Sequence, residues 1–152
     1  MSITISLVSA AVIACSTLTS MAVMQTLENK TGNAIKKESF ETSFADAELL
    51  RKTLVENGCC VKKISENEMT VSTTCGILRY TRNSPSEAFR LVLDQISNPD
   101  ALLEQIRSLE TDYGRNVQTS TYQHIKQNLT EDMQIEDEQI LEDDSLLLTI
   151  EV

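Results

Sequence analysis

The sequence predicts an α+β fold: a ferredoxin-like antiparallel sheet with two or three helices on one face, preceded by an N-terminal apolar helix. Three observations predict it. Residues 1 to 26 carry no charged side chain. From residue 39 onward, short β-branched runs alternate with segments whose apolar residues recur at helical spacing. The chain closes on two apolar runs around the acidic turn Glu142-Asp143-Asp144, the pattern of a hairpin. The implied organisation is an apolar segment over 1–27, a polar linker over 28–38 and an α+β domain over 39–152. The 152 residues suffice to bury a substantial core.

The run from Ile3 to Met24 has the length of a membrane-spanning helix, about 20 residues. Ile5, Leu7, Val8, Val12, Ile13, Leu18 and Val23 would supply its lipid contacts. Scattered Ser and Thr can return their hydroxyls to helix carbonyls. A cleaved signal peptide would want a positive n-region, and none precedes the run. Val12-Ile13-Ala14-Cys15 has the form of a bacterial lipoprotein cleavage box, but the apolar run continues past it. A buried soluble helix or strand is the third reading. The adopted reading is an uncleaved anchor. Lys30, Lys36 and Lys37 lie after the run and no basic residue before it, which places the body on the cytoplasmic, stromal or matrix side.

In the body, Phe40 and Phe44 bracket a short strand. Ser43 opens a helix over about 45–57, with Asp46 as its capping pair and Gly58 as its left-handed end. Residues 59–65 (CCVKKIS) form the next strand and Glu66-Asn67-Glu68 a turn. A β-branched run follows over 69–81, in which Gly76 marks a bulge or a break into two strands. Ser84-Pro85-Ser86-Glu87 starts a second helix with the stripe Phe89, Val92, Leu93 and Ile96. Asn98-Pro99-Asp100 ends it and begins another through Leu102, Leu103, Ile106, Leu109 and Tyr113. Gly114 breaks that helix, and Tyr122, Ile125 and Leu129 mark a further one. Residues 133–152 form the closing hairpin.

From Phe40 onward this layout resembles an uncharacterised small α+β family of plastids, cyanobacteria, other bacteria and phages, that of a conserved hypothetical plastid open reading frame. The resemblance rests on FETSFADAELLRKTLVENG, on the helical Tyr122-Gln123-His124-Ile125-Lys126, and on the close EDEQILEDDSLLLTIEV. The chain departs from the family in its uncharged head and in having Met133 where a Gly precedes the penultimate strand. The resemblance supplies no reaction. It implies an accessory role in a larger assembly, because bacterial members sit beside genes for AAA-type ATPases.

Charge is unevenly spread. The chain holds 23 acidic and 13 basic residues, a net of -10. The last 22 residues hold nine acidic and no basic side chains, so the other 130 hold 14 and 13, a net of -1. This balance argues against a phosphate-binding surface. The absence of Trp and an aromatic content of 4% argue against base stacking. Nucleic acid is therefore not an expected partner. Arg79, Arg82 and Arg90 with Tyr80 form the one basic cluster.

Cys59, Cys60, Cys75 and His124 are the candidate metal or thiol set, since three thiolates and an imidazole complete a tetrahedral zinc site. Adjacent cysteines on a strand point to opposite faces, so packing as small apolar residues is the simpler reading. His124 lacks a nucleophile motif beside it. Glu131, Asp132, Glu136, Asp137, Glu138, Glu142, Asp143 and Asp144 fail the calcium-loop spacing, because from Asp132 the sixth position, which needs Gly, is Asp137. They read as a solvated strand edge able to attract a basic partner. The expected function is a membrane-anchored, non-enzymatic accessory or scaffold subunit that needs no cofactor and binds proteins. The alternatives are an assembly protein, soluble or virion-type, whose apolar head packs in an oligomer, and a small thiol or zinc enzyme.

Overall fold

The computed structural model describes residues 1–7, 39–142 and 145–152. It is α+β, with eight strands and two helices among those residues. The strands are β1 (Ser2–Leu7), β2 (Ser39–Glu41), β3 (Cys60–Ser65), β4 (Glu68–Thr73), β5 (Gly76–Thr81), β6 (Arg90–Ile96), β7 (Gln134–Ile140) and β8 (Leu146–Glu151). The helices are α1 (Ala47–Glu56) and α2 (Pro99–Asn128). Two antiparallel sheets form, one of order β1-β8-β7 and one of order β2-β6-β5-β4-β3. The chain divides into two compact units, Val12–Tyr113 and the pair of segments Met1–Ala11 with Gly114–Val152. The first half of α2 belongs to one unit and the second half to the other.

The five-stranded sheet is built by side-chain rows. Met69, Tyr80, Leu91 and Phe40 stand opposite one another across β4, β5, β6 and β2, and Val71, Leu78 and Leu93 form the next row. All seven are buried. Period-2 alternation puts them on one face, and each such side chain removed from water contributes about 1.5–3 kcal/mol. Phe44 links this face to α2, its ring 5.8 Å from Tyr80 and 4.6 Å from Tyr113. Leu102, Ile106 and Leu109 bury the same stripe of α2, and Leu50 and Leu54 that of α1.

Caps set the limits of α1. The Asp46 carboxylate accepts from the amides of Glu48 and Leu49, at 3.0 and 3.1 Å. At the other end Gly58 takes φ 77°, and the amides of Gly58 and Cys59 return to the carbonyls of Val55 and Leu54, both at 3.0 Å. That is the Schellman pattern expected of Gly58. The Asn57 amide group donates to the Thr53 carbonyl and to Asp112, tying α1 to α2.

Several expectations are corrected. Ser2–Leu7 is a strand paired with β8, so Ile5 and Leu7 are sheet residues and no N-terminal apolar helix is seen among the described residues. Val8, Val12, Ile13, Leu18 and Val23 lie outside the described residues. Among the described residues no helix is long and apolar enough to cross a membrane. The helix expected from Ser84 is instead a turn followed by β6. Glu87 donates to the Ser84 carbonyl at 3.1 Å, with Pro85 at the second turn position. Phe89, Leu91 and Leu93 are then buried alternately with Arg90, Val92 and Asp94. Gly114 does not end α2, because one helical glycine costs only about 1 kcal/mol. The break at Gly76 does form two strands, with Thr74 and Cys75 as the loop between them. The antiparallel pairing agrees with the expectation, but the ferredoxin-like order is not seen among the described residues: β3 to β6 run as a meander, and the closing hairpin belongs to the other sheet.

Candidate functional site

Cys59, Cys60 and Cys75 gather at one end of the β3–β4–β5 meander. Cys60 lies opposite Ser72, which puts Cys59 just outside β3, while Cys75 sits in the loop between β4 and β5. Cys59 and Cys75 are buried, Cys60 is exposed, and all three are free thiols. Burial pushes the Cys59 thiol above its ordinary value, and the neighbouring Cys60 and Cys75 push it the same way. Cys59 Sγ accepts from Gln105 Nε2 at 3.3 Å. Gln105 Oε1 is buried without a hydrogen-bond partner. A thiol held protonated is a poor nucleophile and a poor metal ligand. His124 belongs to the other unit, exposed near the end of α2, where its carbonyl accepts from Asn128. Among the described residues no group of His, Cys, Asp or Glu is placed to hold a metal ion. Gln105 carried no sequence signal; it was one polar residue on a helix.

Of the arginine cluster, Arg82 and Arg90 line a cleft of about 510 Å³, with Glu41 and Glu87 also in its wall. Each arginine is already engaged. Arg82 donates from Nε to Asn67, from Nη1 to the carbonyls of Ala45, Pro85 and Glu87, and from Nη2 to the carbonyl of Glu66. Its guanidinium lies 4.2 Å over the Phe89 ring. It therefore gathers three loops rather than offering a charge to a ligand. Arg90 meets Glu41 at 3.4 Å, and Arg79 meets Glu68 and Asp94 at 3.8 and 3.7 Å.

The acidic set is different. Glu136, Asp137 and Glu138 are exposed on β7, an edge of the three-stranded sheet. Glu142 follows the strand and is exposed, while Asp143 and Asp144 lie outside the described residues. A register shift between Ile135 and Asp137 makes Glu136 the extra residue of a bulge. Glu136 accepts from the Ser2 hydroxyl at 3.1 Å and Asp137 from Gln139 at 3.0 Å. Glu138 accepts from the Tyr122 hydroxyl, and this bond raises the Tyr122 pKa by favouring the protonated phenol. Among the described residues no ion pair neutralises these carboxylates. The outer backbone groups of an edge strand are open to a further strand, and the charge beside them attracts a basic one. Comparison with family models, curated proteins and solved structures finds no match for the chain.

Proposed function

We propose that the protein is a non-enzymatic accessory or scaffold subunit that presents its α+β body to protein partners, with β7 as the side that meets a basic one. The carrying observation is the exposure of Glu136, Asp137 and Glu138 on an edge strand, none of them in an ion pair among the described residues. Charge of one sign along an edge steers association and raises the on-rate of an oppositely charged partner. The burial that pushes the Cys59 thiol up weighs against that one thiol as a nucleophile or zinc ligand.

The resemblance drawn from the sequence extends this proposal to an AAA-type ATPase as the partner class. The anchoring part of the reading rests on the 19 uncharged residues 8–26, and fractionation tests it: a full-length chain that stays soluble without detergent removes the anchor. For β7 the test is the double variant Glu136→Lys, Asp137→Lys. Proteins co-purifying with the wild type are expected to be lost from this variant and from the wild type as salt is raised. Retention of the same partners by the variant overturns the assignment to β7.

A further inference from the structure

Among the described residues the four sheet edges are not protected alike. An exposed edge strand invites pairing with another chain, and folds blunt it by shortness, charge or bulges. The edge strand β2 has only three residues. The edge strand β3 carries Lys62 and Lys63 and has a register shift between Lys63 and Ser65. The edge strand β7 carries three acids and its own register shift. The remaining edge, β1, has none of these. It is SITISL: six residues, no charge, no proline, and an unbroken register with β8.

Its outward groups follow from the hydrogen-bond pattern. The Val152 amide donates to the Met1 carbonyl at 2.9 Å, and the Met1 amine reaches the Val152 carbonyl at 3.5 Å. Met1 and Val152 are thus a hydrogen-bonded pair. By the alternation of an antiparallel ladder, Ile3, Ile5 and Leu7 also turn their backbone groups to β8. Ser2, Thr4 and Ser6 turn theirs outward, and all three residues are exposed. Ile3 beside them is 50% exposed.

We infer that β1 is the dimerisation edge of this protein, and that its occupant is β1 of a second copy, paired antiparallel about a two-fold axis at Thr4. Charge decides the occupant. Acidic β7 against itself and lysine-bearing β3 against itself place like charges opposite one another, which is destabilising. Uncharged β1 meets itself without that cost. With the axis at Thr4, Thr4 faces its symmetry mate and Ser2 faces Ser6 of the second copy, so every outward amide and carbonyl of the three finds a partner. Ile3 then stands against Ile5 of the second copy and loses its exposure to water. The two three-stranded sheets become one of six strands, and the two-fold closes the assembly at a dimer.

Sedimentation equilibrium on the full chain tests this. The wild type is expected to fit a monomer–dimer equilibrium. Thr4→Lys sets two ammonium groups face to face and is expected to raise the dimer dissociation constant by about tenfold or more. Thr4→Pro removes an amide that points away from β8, a position where an edge strand tolerates proline, and is expected to act in the same direction. Glu136→Gln on β7 is expected to leave the dimer intact. Thr4→Cys under mild oxidation is expected to give one disulfide-linked dimer joined through position 4, since a hydrogen-bonded pair holds its Cα atoms about 5.5 Å apart. Circular dichroism confirms that each variant folds. A wild type that stays monomeric at every concentration overturns the inference. So does a folded Thr4→Lys variant with the wild-type dissociation constant. Species larger than a dimer overturn the two-fold pairing. None of these outcomes bears on partner binding at β7, whose double variant reaches β1 only through the Ser2 hydroxyl that donates to Glu136.

Discussion

Gly58 and Gly76 both hold a positive φ, for different physical reasons. At Gly58 a side-chain carbon would meet nothing within 4 Å, so only the left-handed backbone favours glycine. Gly58→Ala is expected to cost about 1 kcal/mol, the usual penalty for that conformation, read as a lower urea midpoint. At Gly76 φ is 152° and an added Cβ would stand 1.9 Å from the Gln95 carbonyl oxygen on β6. Backbone must move, and Gly76→Ala is expected to cost about 3 kcal/mol, with amide protection lost first between β5 and β6. Both glycines were visible in the sequence as punctuation, but only the fold shows which one touches a neighbouring strand. The buried hydroxyls and thiol give a pH dependence. Burial holds Tyr80 and Tyr113 above the ordinary phenol value, and Cys59 above that of a thiol. Unfolded, these groups lose their protons near ~8.5 for Cys and ~10 for Tyr. The unfolded state then binds fewer protons than the folded one, so stability is fully present below ~8.5 and falls as pH rises above it. Urea midpoints taken from neutral pH upward are expected to show that decline, and Tyr80→Phe is expected to flatten its tyrosine limb.

Among the elements, α1 separates a local signal from its reading. Ser43 and Asp46 both suit an N-cap, and the sequence favours Ser43 because Asp46 stands three residues later. Asp46 is the cap. The Tyr113 hydroxyl explains the choice: it accepts from the amides of Ala45 and Asp46, at 3.2 and 3.1 Å, and so holds the chain outside the helix at those positions. Asp46→Ala is expected to cost about 1 kcal/mol and Ser43→Ala almost nothing, a contrast that thermal denaturation resolves. In β6 the run from Phe89 to Ile96 satisfies both periods. Phe89, Val92, Leu93 and Ile96 fit a helix, whereas Phe89, Leu91 and Leu93 fit a strand. The β5 edge and the row Met69–Tyr80–Leu91–Phe40 decide for the strand. Likewise β1 has the alternation Ile3, Ile5, Leu7 against Ser2, Thr4, Ser6. That signal was present and was absorbed into a longer apolar run read as one helix.

At the scale of the molecule, the ends of the chain meet in one sheet, since β1 lies against β8 along six residue pairs. Deleting residues 1–7 is expected to strip the β8 amides that face β1, those of Leu146, Leu148 and Ile150, of hydrogen-exchange protection while those of β5 keep theirs, because β5 belongs to the other compact unit. Equal loss in both strands would show that the two units unfold as one. Of the nine acids in the last 22 residues, Glu136, Asp137 and Glu138 are exposed on the edge strand β7, while the arginines that looked like a cluster are each engaged by carboxylates or carbonyls. The sequence by itself determined the α+β class, α1 with its Gly58 end, the β3–β4 hairpin and the closing hairpin. These depend on caps, turns and periodicity within a few residues of one another. The tertiary structure alone decided that residues 90–96 extend, that α2 runs unbroken past Gly114, and that the first seven residues join the last strand. Those choices turn on which apolar face and which open sheet edge lie nearby, and contacts between residues distant in the chain leave no periodic mark on it.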